Sequence, residues 1–96
     1  MAKGYWIAFY SSVSNPAALA EYGRLAEQAI QAGGGRFLAR GVAAKVFGNG
    51  VRDRSVVIEF DSVASAIATY ESSAYQAALK VLQGAVEREV RIVEGV

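Results

Sequence analysis

The chain has no cysteine and no histidine. Without thiols there is no disulfide, no thiolate nucleophile and no thiolate metal site, and the redox compartment stays open. Without imidazole, the usual proton carrier near neutral pH is missing, and with it histidine-ligated metals and Ser-His-Asp nucleophiles. Neither sign of charge dominates: Lys and Arg together number 10 against 9 Asp and Glu, a net charge of +1, with no acidic or basic block. The electrostatic footprint of a nucleic-acid binder is therefore absent. No apolar run approaches the ~20 residues that span a bilayer. Met1-Ala2-Lys3-Gly4-Tyr5-Trp6 leads into a strand pattern without an apolar signal segment. Asp53, Glu59, Asp61 and Glu94 are too dispersed to converge on an oxygen-ligated cation. The expectation is an unprocessed cytoplasmic protein with no metal, no cofactor, no nucleic-acid partner and no membrane span.

What is present is apolar: 53% of the 96 residues are hydrophobic and 20% charged, enough for one small core in one domain spanning residues 1–96. Tyr5 to Tyr10 reads as an uncharged buried strand. Asn15-Pro16 opens a helix, because Asn accepts at the N-cap and Pro fits the first turn. Leu19, Tyr22, Ala26, Ala29 and Ile30 follow with helical spacing. Gly33-Gly34-Gly35 stops it where the left-handed C-cap costs glycine nothing. The run follows a helix instead of opening one, so it is a stop signal and not a phosphate loop. Arg36 to Arg40 is a second strand, with Ala43 to Phe47 either its extension or loop. Gly48-Asn49-Gly50 marks a turn, and Ser55 to Phe60 is a β-branched central strand. Asp61-Ser62 offers caps for a second helix carrying Val63, Ala66, Ile67 and Tyr70. Ser72-Ser73 re-caps a further helical stretch with Tyr75, Ala78, Leu79 and Leu82, ending near Gly84. Glu89 to Glu94 is the last strand. The order βαββαβ predicts an α+β, ferredoxin-like domain: a four-stranded antiparallel sheet with the helices on one face.

Helices on one face leave the other face to be explained. Strand side chains alternate between faces. Giving the bulkier sets to the helices places Ile7, Phe9 and Phe37 beneath them, with Val56, Ile58 and Phe60 of the third strand and Val90 and Ile92 of the last. The open face then carries Trp6, Ala8, Tyr10, Leu38, Val57 and Val93, with Arg40, Glu59 and Arg91 among them. Left bare, that surface is more apolar than monomers usually tolerate. A two-fold pairing with a second copy is the simplest cover. Trp6, Ala8, Leu38, Val57 and Val93 are the expected interface of a homodimer.

Gly4 to Ala8, Gly34 to Gly41, Val56 to Phe60 and Ile92 to Val96 together resemble the DUF1330 family of small bacterial proteins of uncharacterised function, in order and at the family's spacing over nearly the whole chain. The resemblance implies a ferredoxin-like fold of the dimeric α/β-barrel superfamily and supplies no reaction. The family pattern falls on Tyr5, Tyr22, Gly34, Gly35, Arg40, Gly41, Glu59, Phe60, Tyr75, Glu94 and Gly95. Two positions depart from it. Ser72-Ser73-Ala74-Tyr75 stands where the family usually has Ser-Pro-Glu-Tyr, so a carboxylate is missing. Val42 stands where a second glycine is common.

Arg40 and Glu59 are the candidate catalytic pair, each a charge within an apolar strand. Arg40 would bind a carboxylate or enolate oxygen, and Glu59 would act as a base with a raised pKa. The alternative is a structural ion pair, and a hairpin centred on Gly48-Asn49-Gly50 would set Arg40 nearer Asp53 or Arg54 than Glu59. Tyr5, Tyr22, Tyr70 and Tyr75 are candidate ligand-binding phenols, with core packing as the alternative. Glu87, Arg88, Glu89 and Arg91 alternate in sign and read as solvated or at a subunit edge. Three functions stay open: a dimer that binds a small apolar or aromatic organic molecule, a cofactor-free monooxygenase- or isomerase-like enzyme, and a structural dimer module. A binder or an enzyme calls for a closed pocket of about 300 Å³ or more with a few convergent polar groups; a module is filled by its own side chains.

Overall fold

The computed structural model describes residues 2–48 and 54–96. Among them the elements run β1 (Gly4–Val13), α1 (Pro16–Ala32), β2 (Arg36–Val42), β3 (Arg54–Phe60), α2 (Val63–Glu71), α3 (Ser73–Leu82) and β4 (Val86–Glu94). The strands form one sheet in the order β2-β3-β1-β4, with every pairing antiparallel. This is the expected ferredoxin-like topology, with its second helical segment divided in two. Asn49, Gly50 and Asp53, on which the expected hairpin turn depended, lie outside the described residues.

Local chemistry explains the helix boundaries. The Asn15 side chain accepts from the Ala18 amide at 3.1 Å, and Pro16 follows in the first turn. At the other end Gly34 sits at φ 92°; its amide donates to Gln31 O and the Gly35 amide to Ile30 O. Those two bonds satisfy carbonyls that the helix leaves open and make a Schellman ending. Ser62 caps α2 through the Ser65 amide. Ser72 closes α2 by donating to Thr69 O at 2.7 Å and caps α3 through the Tyr75 amide. One serine thus serves both ends of the break.

The core differs from the sequence expectation on one strand. β3 and β4 turn the expected residues inward: Val56, Ile58 and Phe60 are buried, and Val90 and Ile92 pack against the core. On β1 the faces are reversed. Trp6 and Ala8 are each 1% exposed and Tyr10 is buried with them, whereas Phe9 is 44% exposed. Trp6 and Ala8 therefore lie beneath the helices and not at a subunit interface. Two constraints impose this choice. Trp6 is paired with Ile58 on one side and Ile92 on the other, so it shares their face. The same face carries Gly4, which lies directly under the start of α2: a Cβ there would stand 2.6 Å from Ser62 O and 2.7 Å from Val63 N. Bulk alone, the criterion that favoured Ile7 and Phe9, ignores the room that helix backbones need. Once inside, Trp6 packs edge-on to Tyr75 at 4.9 Å, tilted against Tyr70 at 5.3 Å and stacked on Phe60 at 6.1 Å.

The open face consequently carries Tyr5, Ile7 and Phe9 of β1 with Val57, Glu59 and Val93. Leu38 occupies the β-bulge where β2 slips against β3. Leu38 is 55% and Val93 48% exposed.

Gly4→Ala should lower stability by roughly 1–3 kcal/mol, since the overpacking against α2 exceeds the roughly 0.4–1 kcal/mol gained from a stiffer unfolded chain. Gly23→Ala should do the opposite and stabilise α1 by up to about 1 kcal/mol, because no atom lies within 4 Å of the added methyl. Urea midpoints of the two variants moving in the same direction would contradict the packing described.

Candidate functional site

Beneath the helices a guanidinium is surrounded by phenols. Arg88 of β4 faces inward opposite Tyr10 of β1. It donates through Nη2 to Tyr75 Oη at 2.8 Å and through Nη1 to Tyr22 Oη at 3.1 Å, with Tyr10 Oη at 3.4 Å. Tyr22 and Tyr75 hydrogen-bond each other at 2.5 Å. The Arg88 guanidinium also stands over the Tyr22 and Tyr10 rings, at 5.1 and 5.7 Å from their centroids. No carboxylate pairs with it among the described residues.

Electrostatics keep this cluster cationic. Burial raises the Tyr22 pKa, the neighbouring Tyr75 adds to that, and Arg88 only partly offsets it. Burial likewise raises Tyr75, again against the pull of Arg88. Burial works against the charge of Arg88, yet the phenol oxygens of Tyr22 and Tyr75 outweigh it and its pKa rises. The result is one positive charge, two neutral phenols and no counter-charge, an arrangement that favours an anion brought from outside.

Two spaces meet at this cluster. Between the sheet and α1 lies a cavity of about 30 Å³, walled by Trp6, Tyr22, Ala26, Ile30, Phe37 and Arg88, with Arg40 and Arg54 at its rim. It holds a water or the head of a ligand, not a whole molecule. Where the sheet ends against the segment 43–47, an open cleft of about 740 Å³ is lined by Phe9, Phe47 and Lys45 among others. Tyr10, Arg54 and Arg88 line both spaces. The large pocket expected between sheet and helices is therefore only a small inner chamber, and the volume a ligand needs lies outside it.

The sequence candidates divide among three places. Tyr22 and Tyr75 meet at Arg88. Tyr70 belongs to the Trp6 cluster, with its ring 4.9 Å from that of Tyr75. Tyr5 is on the open face and donates to Glu59 Oε2 at 2.9 Å. Arg40 and Glu59 are not a pair. Arg40 binds Glu27 of α1 at 2.9 Å and stands over the Phe37 ring, while Glu59 is held by Arg36 at 2.8 Å. The Glu59 carboxyl lies below the ordinary glutamate range, first because of Arg36 and then because of Tyr5. That is the reverse of the raised pKa a general base requires. Arg88, Tyr10 and Arg54 were not among the candidates. Their signal is the alternation Val86, Arg88, Val90, Ile92, which becomes visible once β4 begins at Val86 and not at Glu89. Among the described residues no group of acidic side chains could hold a metal ion, and no helix is long and apolar enough to cross a membrane.

The sheet order, its antiparallel register and the helical layer on one face define a ferredoxin-like α+β protein. Solved structures agree. A protein of unknown function from Rhodopseudomonas palustris superposes with TM-score 0.77 at 19% identity over 99% of this chain and 83% of its own. A dimeric ferredoxin-like protein of unknown function from Thermobifida fusca gives 0.66 at 16% identity, covering 96% and 90% of the two chains. A candidate antibiotic biosynthesis monooxygenase from Nitrosomonas europaea gives 0.66 at 22%, covering 98% and 90%. Within this class the chain belongs to the family described as a domain of unknown function, DUF1330, whose pattern matches residues 3–96. Among curated proteins none matches the chain.

The depressed pKa of Glu59 gives a stability signature. A carboxylate whose folded pKa is lowered contributes stability that is present above its unfolded pKa and lost as pH falls through the folded value. The stability difference between the wild type and Glu59→Gln should therefore be largest near neutral pH and shrink below about pH 4. Urea unfolding of both proteins across that range checks it; parallel curves would mean that the bonds to Arg36 and Tyr5 do not bias the carboxyl.

Proposed function

We propose that the chain is a homodimeric binder of a small apolar or aromatic organic molecule. The observation that carries the reading is the cleft of about 740 Å³ that shares Tyr10, Arg54 and Arg88 with the inner cavity. Its size falls within the range of small-molecule sites, roughly 300–1,000 Å³. Aromatic Phe9, Tyr10 and Phe47 line it beside a few charged groups.

The pairing rests on the open sheet face. Ile7, Phe9, Val57 and Val93 form an apolar strip there, of a kind that single subunits seldom leave in water. A second copy laid on this face would also roof the part of the cleft built from Phe9, Ser55, Glu89 and Arg91. A ferredoxin-like neighbour, from Thermobifida fusca, is described as dimeric, which supports pairing. The monooxygenase reading draws only on a neighbour's description, and the central cluster supplies no base for it, since Tyr22 and Tyr75 both hold their protons.

Light scattering on the eluted protein should give the mass of two chains, and Phe9→Glu should give one chain that stays folded by circular dichroism. A wild type that runs as one chain sinks the pairing. A neutral naphthalene-type probe should bind saturably with a Kd on the order of micromolar, several-fold more weakly to Phe47→Ser. Absence of saturation up to about 1 mM would leave a structural module as the function.

A further inference from the structure

We infer that the inner cavity is a carboxylate site, and that the ligand is a carboxylate whose head enters this cavity while its apolar or aromatic body fills the outer cleft. The inference rests on the ligand-binding reading above and names the ligand's class.

The proton inventory carries it. A phenol has one O–H to donate and two lone pairs to accept with. Arg88 donates to both Tyr22 and Tyr75, and one proton is used in the bond between the two hydroxyls. One proton of that pair is therefore left without a partner in the cluster, and so is the proton of Tyr10, whose oxygen accepts from Arg88. Tyr75 is fully buried and absent from the cavity wall, whereas Tyr22 is part of it. Either hydroxyl can donate in that bond; with Tyr75 donating, Tyr22 has its own proton for the cavity, and Tyr10, also on the cavity wall, has its own in either case. A further free donor stands at the rim. The Nε of Arg54 is buried and has no hydrogen-bond partner among the described residues, and its guanidinium lies 6.0 Å from the Tyr10 ring that Arg88 also faces. Arg40, the third arginine of the wall, is already engaged by Glu27.

The cavity wall thus carries the hydroxyls of Tyr10 and Tyr22 and the side chains of Arg54 and Arg88, and no Asp or Glu lines it. Donors without acceptors, around an uncompensated cation, are the complement of a group that only accepts and is negative. A volume of about 30 Å³ between Trp6, Phe37 and Ile30 admits only a small head group, and a carboxylate has fewer atoms than a phosphonate.

The experiment is calorimetric titration of dimeric protein with a graded series of arylalkanoates, their primary amides of the same shape, the matching phosphonates and the neutral naphthalene-type probe. Acids should bind at least about tenfold more tightly than their amides. Arg54→Met and Tyr22→Phe should each cut the acid-to-amide affinity ratio several-fold. Arg88→Met is the direct test of the central charge. Because its loss also removes bonds within the core, Arg54→Met and Tyr22→Phe decide the matter if it does not fold. Amides equal to acids, phosphonates tighter than acids, or a preference that survives both Arg54→Met and Tyr22→Phe would overturn the carboxylate assignment and leave the binding site standing. Failure of every compound including the neutral probe would remove the binding site itself, and this inference with it.

Discussion

Every element in this domain takes its orientation from the alternation of β1. The strand is hydrogen-bonded on both sides, to β3 and to β4, so its choice of inward face is communicated across the whole sheet. With Trp6 held between Ile58 and Ile92, a slip by one residue would exchange every buried side chain of the strand for an exposed one. Gly4 and Ala8 leave room for the helices, Trp6 fills the space that they enclose, and Tyr10 at the far end comes opposite Arg88. The aromatic core and the polar cluster are two stretches of one alternating pattern.

Arg88 is the costly residue in that pattern. The half-buried guanidinium gives up part of its hydration, and here it is compensated by phenol oxygens and aromatic faces instead of a carboxylate. Neutral partners satisfy its hydrogen bonds but leave its charge standing. A salt bridge would have closed the site to an anion. The open-face pair of Arg36 and Glu59 shows the contrasting arrangement, in which each charge is already neutralised by the other and nothing further is called for.

The sequence was legible where local chemistry decides. Asn15-Pro16, the three glycines after α1, and Ser62 and Ser72 as caps all act through bonds to near neighbours, and all stand where the pattern placed them. The inward sets of β3 and β4 were legible because β-branched and charged residues alternate there without ambiguity. β1 was not, because both of its faces are apolar; only pairing with the flanking strands and the approach of α2 to Gly4 separate them, and neither is local. The candidate site followed the same division. Tyr22 and Tyr75 lie on helix faces whose periodicity is clear. Arg88 was hidden in a charged stretch, Glu87 to Arg91, that reads as solvated until the strand is extended back to Val86. The expected link between Arg40 and Glu59 failed because the two residues point to opposite sides of the sheet, one toward α1 and the other away from it.

The phenol-ringed guanidinium has one more consequence, which follows from the absence of imidazole. Arginine and buried tyrosine change protonation only far above neutrality, so the chamber presents the same electrostatic face from mildly acidic to mildly alkaline solution. Within that span the protein has no means of sensing acidity at this spot. Occupancy would track the ionisation of the guest alone: full once the guest has shed its proton, fading as the guest regains it.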